Sequence, residues 1–319
     1  MLHSIVSWWV AVLAQWCCVY FQTARRPRGS CVGVLVMGCV LVWHGVGWAQ
    51  QRALSPGDLR VRWHTAQVSA EVPRIQGQLT IFTAASLTEA FKEMGANIEQ
   101  ANPGTKVIFN FAGSPTLRTQ LAQGARADVF ASADEPNMQG AQKEGTIASE
   151  PRLFVRNQLV AIVPAANPAQ VMRLQDLAKP GVKLVLTNKE VPVGHYARQA
   201  LAKMSQDAAF GSEFATRVLA NLVSEETNVK QVVAKVQLGE AHAGIVYASD
   251  VTPAVRGAVQ VLAIPEPFNV IAHYPIAVVR EAPNAAGARA FIDYVLSPAG
   301  QAILTKHGFL AVAPPPRAN

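Results

Sequence analysis

The residues of this chain that could do chemistry are mainly hydroxyls, set where helices begin. Ser86 follows the β-forming run Leu79–Phe82 and opens Ser86-Leu-Thr-Glu89, the spacing of a capping box, ahead of a helical stretch. Ser114 lies in Phe109-Asn-Phe-Ala-Gly-Ser-Pro115, where serine at N-cap and proline at N1 make a strong helix start. Tyr247 ends the apolar run Gly244-Ile-Val-Tyr247. A strand that feeds straight into a helix leaves backbone N–H groups unpaired, and these together with the helix dipole attract anions. A serine that accepts a capping bond still has its own O–H to donate. A cap alone would account for Ser86, and core packing alone for Tyr247. The pattern recurs, however. Val191-Pro-Val-Gly-His-Tyr-Ala197 and Thr227-Asn228-Val229 are two more helix starts, and Asn228 is a good N-cap. Four such starts could converge on one small anion at the strand-to-helix turns, where α/β sheets bind ligands.

Other chemistry is sparse. The chain has no Walker loop, dinucleotide fingerprint, zincin motif or nucleophile elbow. His64, His195, His242, His273 and His307 are scattered without ligand spacing. Asp128 and Asp134 flank a short strand; they could form an acid–base pair, although bracing of adjacent loops is the commoner use of such residues. His195 alone could serve Ser86 or Ser114 as a base, which keeps a serine-dependent hydrolase as an alternative. The overall reading is a binder and not an enzyme.

These residues need an α/β frame to position them. Short apolar runs alternate with amphipathic stretches from Gln78 onward, the signature of that class. Strands are expected at 79–82, 106–111, 129–131, 158–163, 183–186, 244–247, 259–263 and 276–279. Helices are expected at 87–101, 115–123, 136–144, 175–179, 194–204, 210–219, 229–238, 286–296 and 298–307. Val229, Val232, Val233 and Val236 repeat at helical spacing and mark a buried face.

The 319 residues leave room for about two domains. Half are hydrophobic and 15% are charged, which argues against disorder. The net charge is +7, but without residues 1–49 the balance falls to 25 basic and 21 acidic residues. That suits a soluble protein handling a small anion better than one gripping nucleic acid. All four cysteines (Cys17, Cys18, Cys31 and Cys39) precede residue 50, so the remainder has neither a disulfide nor a thiolate metal site. Residues 4–22 form one apolar run; a second, Cys31–Trp48, follows the basic Arg25-Arg-Pro-Arg28 and has the anatomy of a secretory signal, with cleavage expected after Ala49. The first run fits a membrane span or a start codon assigned too far upstream. Residues 50–77 read as a linker.

Five segments, in order, carry a resemblance: Ala84-Ala-Ser-Leu-Thr88, Phe111-Ala-Gly-Ser-Pro-Thr-Leu117, Ala127-Asp-Val-Phe-Ala-Ser-Ala-Asp134, Val191-Pro-Val-Gly-His-Tyr-Ala197 and Gly244-Ile-Val-Tyr-Ala-Ser-Asp250. Over roughly residues 78–311 the chain resembles the periplasmic molybdate-binding proteins of molybdate ABC transporters. The resemblance implies a two-lobed α/β fold, the type II periplasmic binding protein fold, with the ligand in the cleft between lobes. Lobe one would comprise residues 78–157 with 274–319, and lobe two residues 158–273. It implies molybdate or tungstate as ligand, held by the hydroxyls of Ser86 and Ser114, the backbone N–H groups of Val193 and Val229, and the hydroxyl of Tyr247. All five would touch oxyanion oxygens and not the metal atom. Gly113 and Pro115 stand where some relatives have serine, which removes possible auxiliary donors. No carboxylate falls at the contact positions, so tetrahedral binding without a coordinate bond is expected. The resemblance further implies no cofactor, a membrane permease as partner, no nucleic acid, a monomer, and a periplasmic location reached through the N-terminal signal, with anchoring left open. Two alternatives share the fold: a receptor for sulfate or another oxyanion, and the effector-sensing domain of a transcription regulator. The signal-like N-terminus disfavours the second.

Overall fold

The alternating pattern folds into two sheets of different make-up in the computed structural model, which describes residues 72–312. The expected signal, apolar runs and most of the linker lie outside the described residues. In chain order the elements are β1 (Gln78–Ala84), α1 (Thr88–Ala101), β2 (Lys106–Ala112), α2 (Ser114–Ala122), β3 (Val129–Ala131), α3 (Glu135–Lys143), β4 (Arg152–Asn157), β5 (Leu159–Pro164), β6 (Leu184–Thr187), α4 (Pro192–Met204), α5 (Phe214–Ala220), β7 (Leu222–Glu226), α6 (Val229–Gln237), β8 (Ala243–Tyr247), α7 (Pro253–Arg256), β9 (Val259–Ala263), β10 (Ala272–Val278), α8 (Ala285–Leu296), α9 (Pro298–Lys306) and β11 (Leu310–Ala311).

The first sheet has strand order β11-β4-β10-β3-β1-β2 and the second β7-β6-β8-β5-β9. In the first, β1 pairs parallel with β2 and β3, while β10 runs antiparallel between β3 and β4. In the second, β6 pairs parallel with β7 and β8, while β5 runs antiparallel to β8 and β9. We call each sheet with its helices a lobe. The chain passes from the first to the second between β4 and β5 and returns before β10. Asn269 ties the two passages together: its Oδ1 accepts the Leu159 N–H at 3.0 Å, and its Nδ2 donates to the carbonyls of Leu159 and Ile264.

Packing follows the sequence pattern. Phe91 of α1 meets Phe154 and Phe291 at ring-centroid distances of 6.0 and 5.4 Å, the latter edge-on. The valine face of α6 is buried, and each such side chain contributes about 1.5–3 kcal/mol on burial. Gly244 of β8 lies beneath that face, where a Cβ would come within 2.7 Å of Val232.

Three strands were not anticipated. Arginines at 152 and 156 break the apolar run of β4; β7 is an edge strand whose Val223 is exposed; β11 has two residues. The helix expected from Phe210 starts at Phe214, because Gly211 sits at φ +83° and interrupts it. The segment around 175–179 is a 3-10 turn, Leu174–Ala178.

Candidate functional site

Each anticipated contact residue lies at or beyond the carboxyl end of a strand, and the fold brings all five to one cavity. Ser86 comes after β1, Ser114 after β2, Val193 after β6, Val229 after β7, and Tyr247 closes β8. The cavity is small, about 10 Å³, and is also lined by Gly113, Ala133, Pro192 and Asn228; no charged side chain lines it.

Two helix starts differ from the sequence reading. Ser86 does not form a capping box: residues 85–87 make a 3-10 turn without a side-chain cap, and Ser86 Oγ lies 3.0 Å from the hydroxyl of Tyr274. Ser114 is the first residue of α2 and Gly113 is its N-cap. The serine is drawn away from capping because its Oγ accepts the Ala133 N–H at 3.0 Å. That bond uses a lone pair, so the Ser114 proton remains available for donation.

The second lobe supplies donors of another kind. Proline at the N-terminal end of α4 and the extended residue Val191 before it bring Val193 into the first turn without a side-chain cap. Asn228 caps α6 by accepting from Gln231 N, which leaves the Val229 N–H outside that bond. Among the described residues, neither Val193 N–H nor Val229 N–H has a hydrogen-bond acceptor. The hydroxyl of Tyr247 is buried and also without a partner. Burial pushes this phenol well above its ordinary pKa, so it stays protonated and able to donate. A buried polar atom left unpaired costs stability, and three unpaired donors around one cavity describe a place built for acceptors.

The lobes touch beside the cavity. A Cβ on Gly113 would lie 2.5 Å from the carbonyl oxygen of Thr227 and 3.5 Å from Val191, so the absence of a side chain permits this approach. Lys230, next to Val229, reaches across to Glu89 Oε2 at 2.7 Å and lies 3.4 Å from Asp250 Oδ1. Burial raises Asp250 to about 6, against the opposing effect of the Lys230 charge.

The rival chemistry finds no such assembly. His195 Nε2 lies 2.9 Å from Gln199 Nε2, and neither serine is its hydrogen-bond partner. Asp128 accepts the backbone N–H groups of Thr80 and Asn284. Asp134 caps α3 through Asn137 N. Both acids brace loops, as their common use suggested. Sequence reasoning missed Tyr274 and Asn157, which lie behind Ser86. The one local signal was Asn157, a polar residue between the apolar runs of β4 and β5.

Comparison with known proteins bears on this geometry. Residues 79–310 match the family described as bacterial extracellular solute-binding protein. The molybdate-binding protein ModA of Mycobacterium bovis is 37% identical over 269 residues, 84% of this chain and 98% of that protein. The protein of the same name from Escherichia coli is 33% identical over 241 residues, 73% of this chain and 89% of its own length. The periplasmic molybdate-binding protein of Azotobacter vinelandii shares the fold, with a TM-score of 0.64 at 19% identity over 73% of this chain and 99% of that one. The matches span both sheets and every strand-to-helix turn that reaches the cavity. The chain belongs to the bacterial extracellular solute-binding proteins and, within them, to the ModA molybdate-binding family.

Proposed function

We propose that this protein captures molybdate or tungstate outside the cytoplasm and delivers it to the membrane permease of an ABC transporter. It acts as a monomeric receptor, without a cofactor, and catalyses no reaction. The observation that carries the reading is the convergence of two hydroxyls from one lobe with two free helix-start N–H groups and an unpaired phenol from the other. A dianion moved out of water must recover its lost hydration from the site. Hydrogen bonds to a charged acceptor are about twice as strong as neutral ones, so neutral donors can supply that recovery. The helix starts add their dipoles. With both lobes donating to one ion, binding would favour the contact between lobes, and that contact is what a permease could read. Ser86, Ser114, Val193, Val229 and Tyr247 are the proposed contacts, all to oxyanion oxygens.

Thermal unfolding with molybdate, tungstate, sulfate and phosphate in turn tests this. An anion at about 100 times its dissociation constant stabilises by roughly 2.7 kcal/mol, or roughly 5–10 °C in midpoint for a protein of this size. Shifts with molybdate and tungstate alone are expected. An equal shift with sulfate would replace the ligand, and no shift with any anion would overturn the oxyanion site.

A further inference from the structure

Ser86 is engaged by a partner 188 residues away, the phenol of Tyr274, at 3.0 Å. Tyr274 is wholly buried on β10 and accepts an N–H from Asn157 Nδ2 at 3.3 Å. The Asn157 amide is oriented separately. Its Oδ1 accepts the Gln158 N–H at 3.0 Å, which turns Nδ2 toward Tyr274 and toward Ser249 Oγ, 2.8 Å away. Asn157 ends β4, where the chain crosses between lobes, and Ser249 lies just past Tyr247. The chain of hydrogen bonds therefore runs from the crossing, behind the cavity, to one of the residues that lines it.

The positions of the protons follow from these partners. The Tyr274–Ser86 contact is open to either donor, and with Asn157 Nδ2 already donating to the phenol oxygen we assign the phenol's proton to Ser86 Oγ. A phenol is a stronger acid than an alcohol and so the better donor of the two. Burial holds Tyr274 above the ordinary phenol range, which keeps that proton in place. Ser86 then accepts from Tyr274 and cannot donate back to it, so its O–H is free for the cavity. Hydrogen bonds in series polarise one another, which strengthens the last donor.

We propose that Tyr274, oriented by Asn157, is a positioning and specificity-determining residue that sets Ser86 as a donor toward fully deprotonated oxyanions. The proposal rests on the oxyanion reading above. Without Tyr274 the Ser86 hydroxyl can rotate and offer a lone pair, which an anion carrying its own O–H could use. Such anions are rejected while the tyrosine is present.

The test is calorimetric titration of the full chain at about pH 8 with molybdate and with arsenate, which at that pH is mainly a tetrahedral dianion that retains a proton. Wild type, Tyr274→Phe, Ser86→Ala and the double variant are compared. Phenylalanine keeps the ring packing against Phe154, Tyr247 and Phe309, and the melting midpoint without anion reports that the fold is retained. Tyr274→Phe is expected to weaken molybdate about tenfold, to narrow the preference for molybdate over arsenate, and to have no further effect when Ser86 is already alanine. Asn157→Asp, which exchanges the amide donor for an acceptor, should narrow the same ratio; its added charge opposes both dianions alike. Unchanged ratios in both variants, or an equal loss on the Ser86→Ala background, overturn the proposal. A wild-type protein that binds no molybdate overturns the function proposed above together with this inference. Binding by the wild type with unaltered ratios overturns the inference alone.

Discussion

Lobe one brings Ser86 and Ser114 to the cavity as side-chain hydroxyls, each tied by hydrogen bonds to other residues of its own sheet layer. Lobe two brings the N–H groups of Val193 and Val229, which substitution by any residue except proline preserves, and a single phenol. The first arrangement depends on residue identity and the second on backbone conformation. It follows that the two halves of one site should respond differently to mutation, although both face the same cavity.

The largest effect should come from the contact between the halves. Gly113→Ala places a methyl group 2.5 Å from the Thr227 carbonyl oxygen, and backbone cannot give way cheaply. Molybdate affinity should fall about a hundredfold by calorimetry, with little change in the unliganded melting midpoint; wild-type affinity would mean that the lobes do not need this approach. Next is Ser114→Ala, which removes a donor and leaves the Ala133 N–H without its acceptor. It should cost roughly 2 kcal/mol of binding, about thirtyfold, and also lower stability. Tyr247→Phe sharpens the comparison, because its hydroxyl has no partner within the protein. Affinity should drop about tenfold while unliganded stability holds or rises, and a loss of both would show that the hydroxyl is paired internally.

A smaller effect concerns stability and pH. Asp250 titrates at about 6 in the fold, above the roughly 3.9 of a free aspartate, so the folded state binds its proton more tightly. The cost of ionising it is present above pH 6 and is relieved as pH falls from about 6 toward 4. Chemical denaturation across that window should show wild type gaining stability relative to Asp250→Asn as pH falls; the opposite slope would refute the assignment. Val193→Ala should do least to binding, within about twofold, while costing roughly 1–2 kcal/mol of stability through lost packing of a buried side chain.

Local signals made much of this site legible. The cap at Asn228 and the serine–proline pair at 114–115 announce helix starts that stand within a residue of their expected places, while the helix expected from Gly194 begins two residues earlier, at Pro192. What local signals miss is how a side chain is used once the fold is complete. The Ser86 spacing indicates a cap, yet its hydroxyl turns to Tyr274, far along the chain. Gly113 reads as a lost donor, while in three dimensions its importance is the space it leaves for Thr227. Two of the three unanticipated strands share one cause: β4 has arginines within its run, and β7 is a charged edge with an exposed valine, so neither shows clean alternation, while β11 has only two residues.

The place of β10 in the first sheet bears on the order of synthesis. This strand lies between β3 and β4, yet it is made after all of lobe two. As the chain emerges, the second sheet is complete by Ala263, while β4 still lacks the neighbours it will pair with. Lobe two is thus the part able to fold during translation, as contiguous units do. Lobe one must wait for a strand from the far end of the sequence, whose pairing closes a long loop and is intrinsically slow. The cleft between the two sheets therefore cannot assemble until nearly the whole polypeptide has been made.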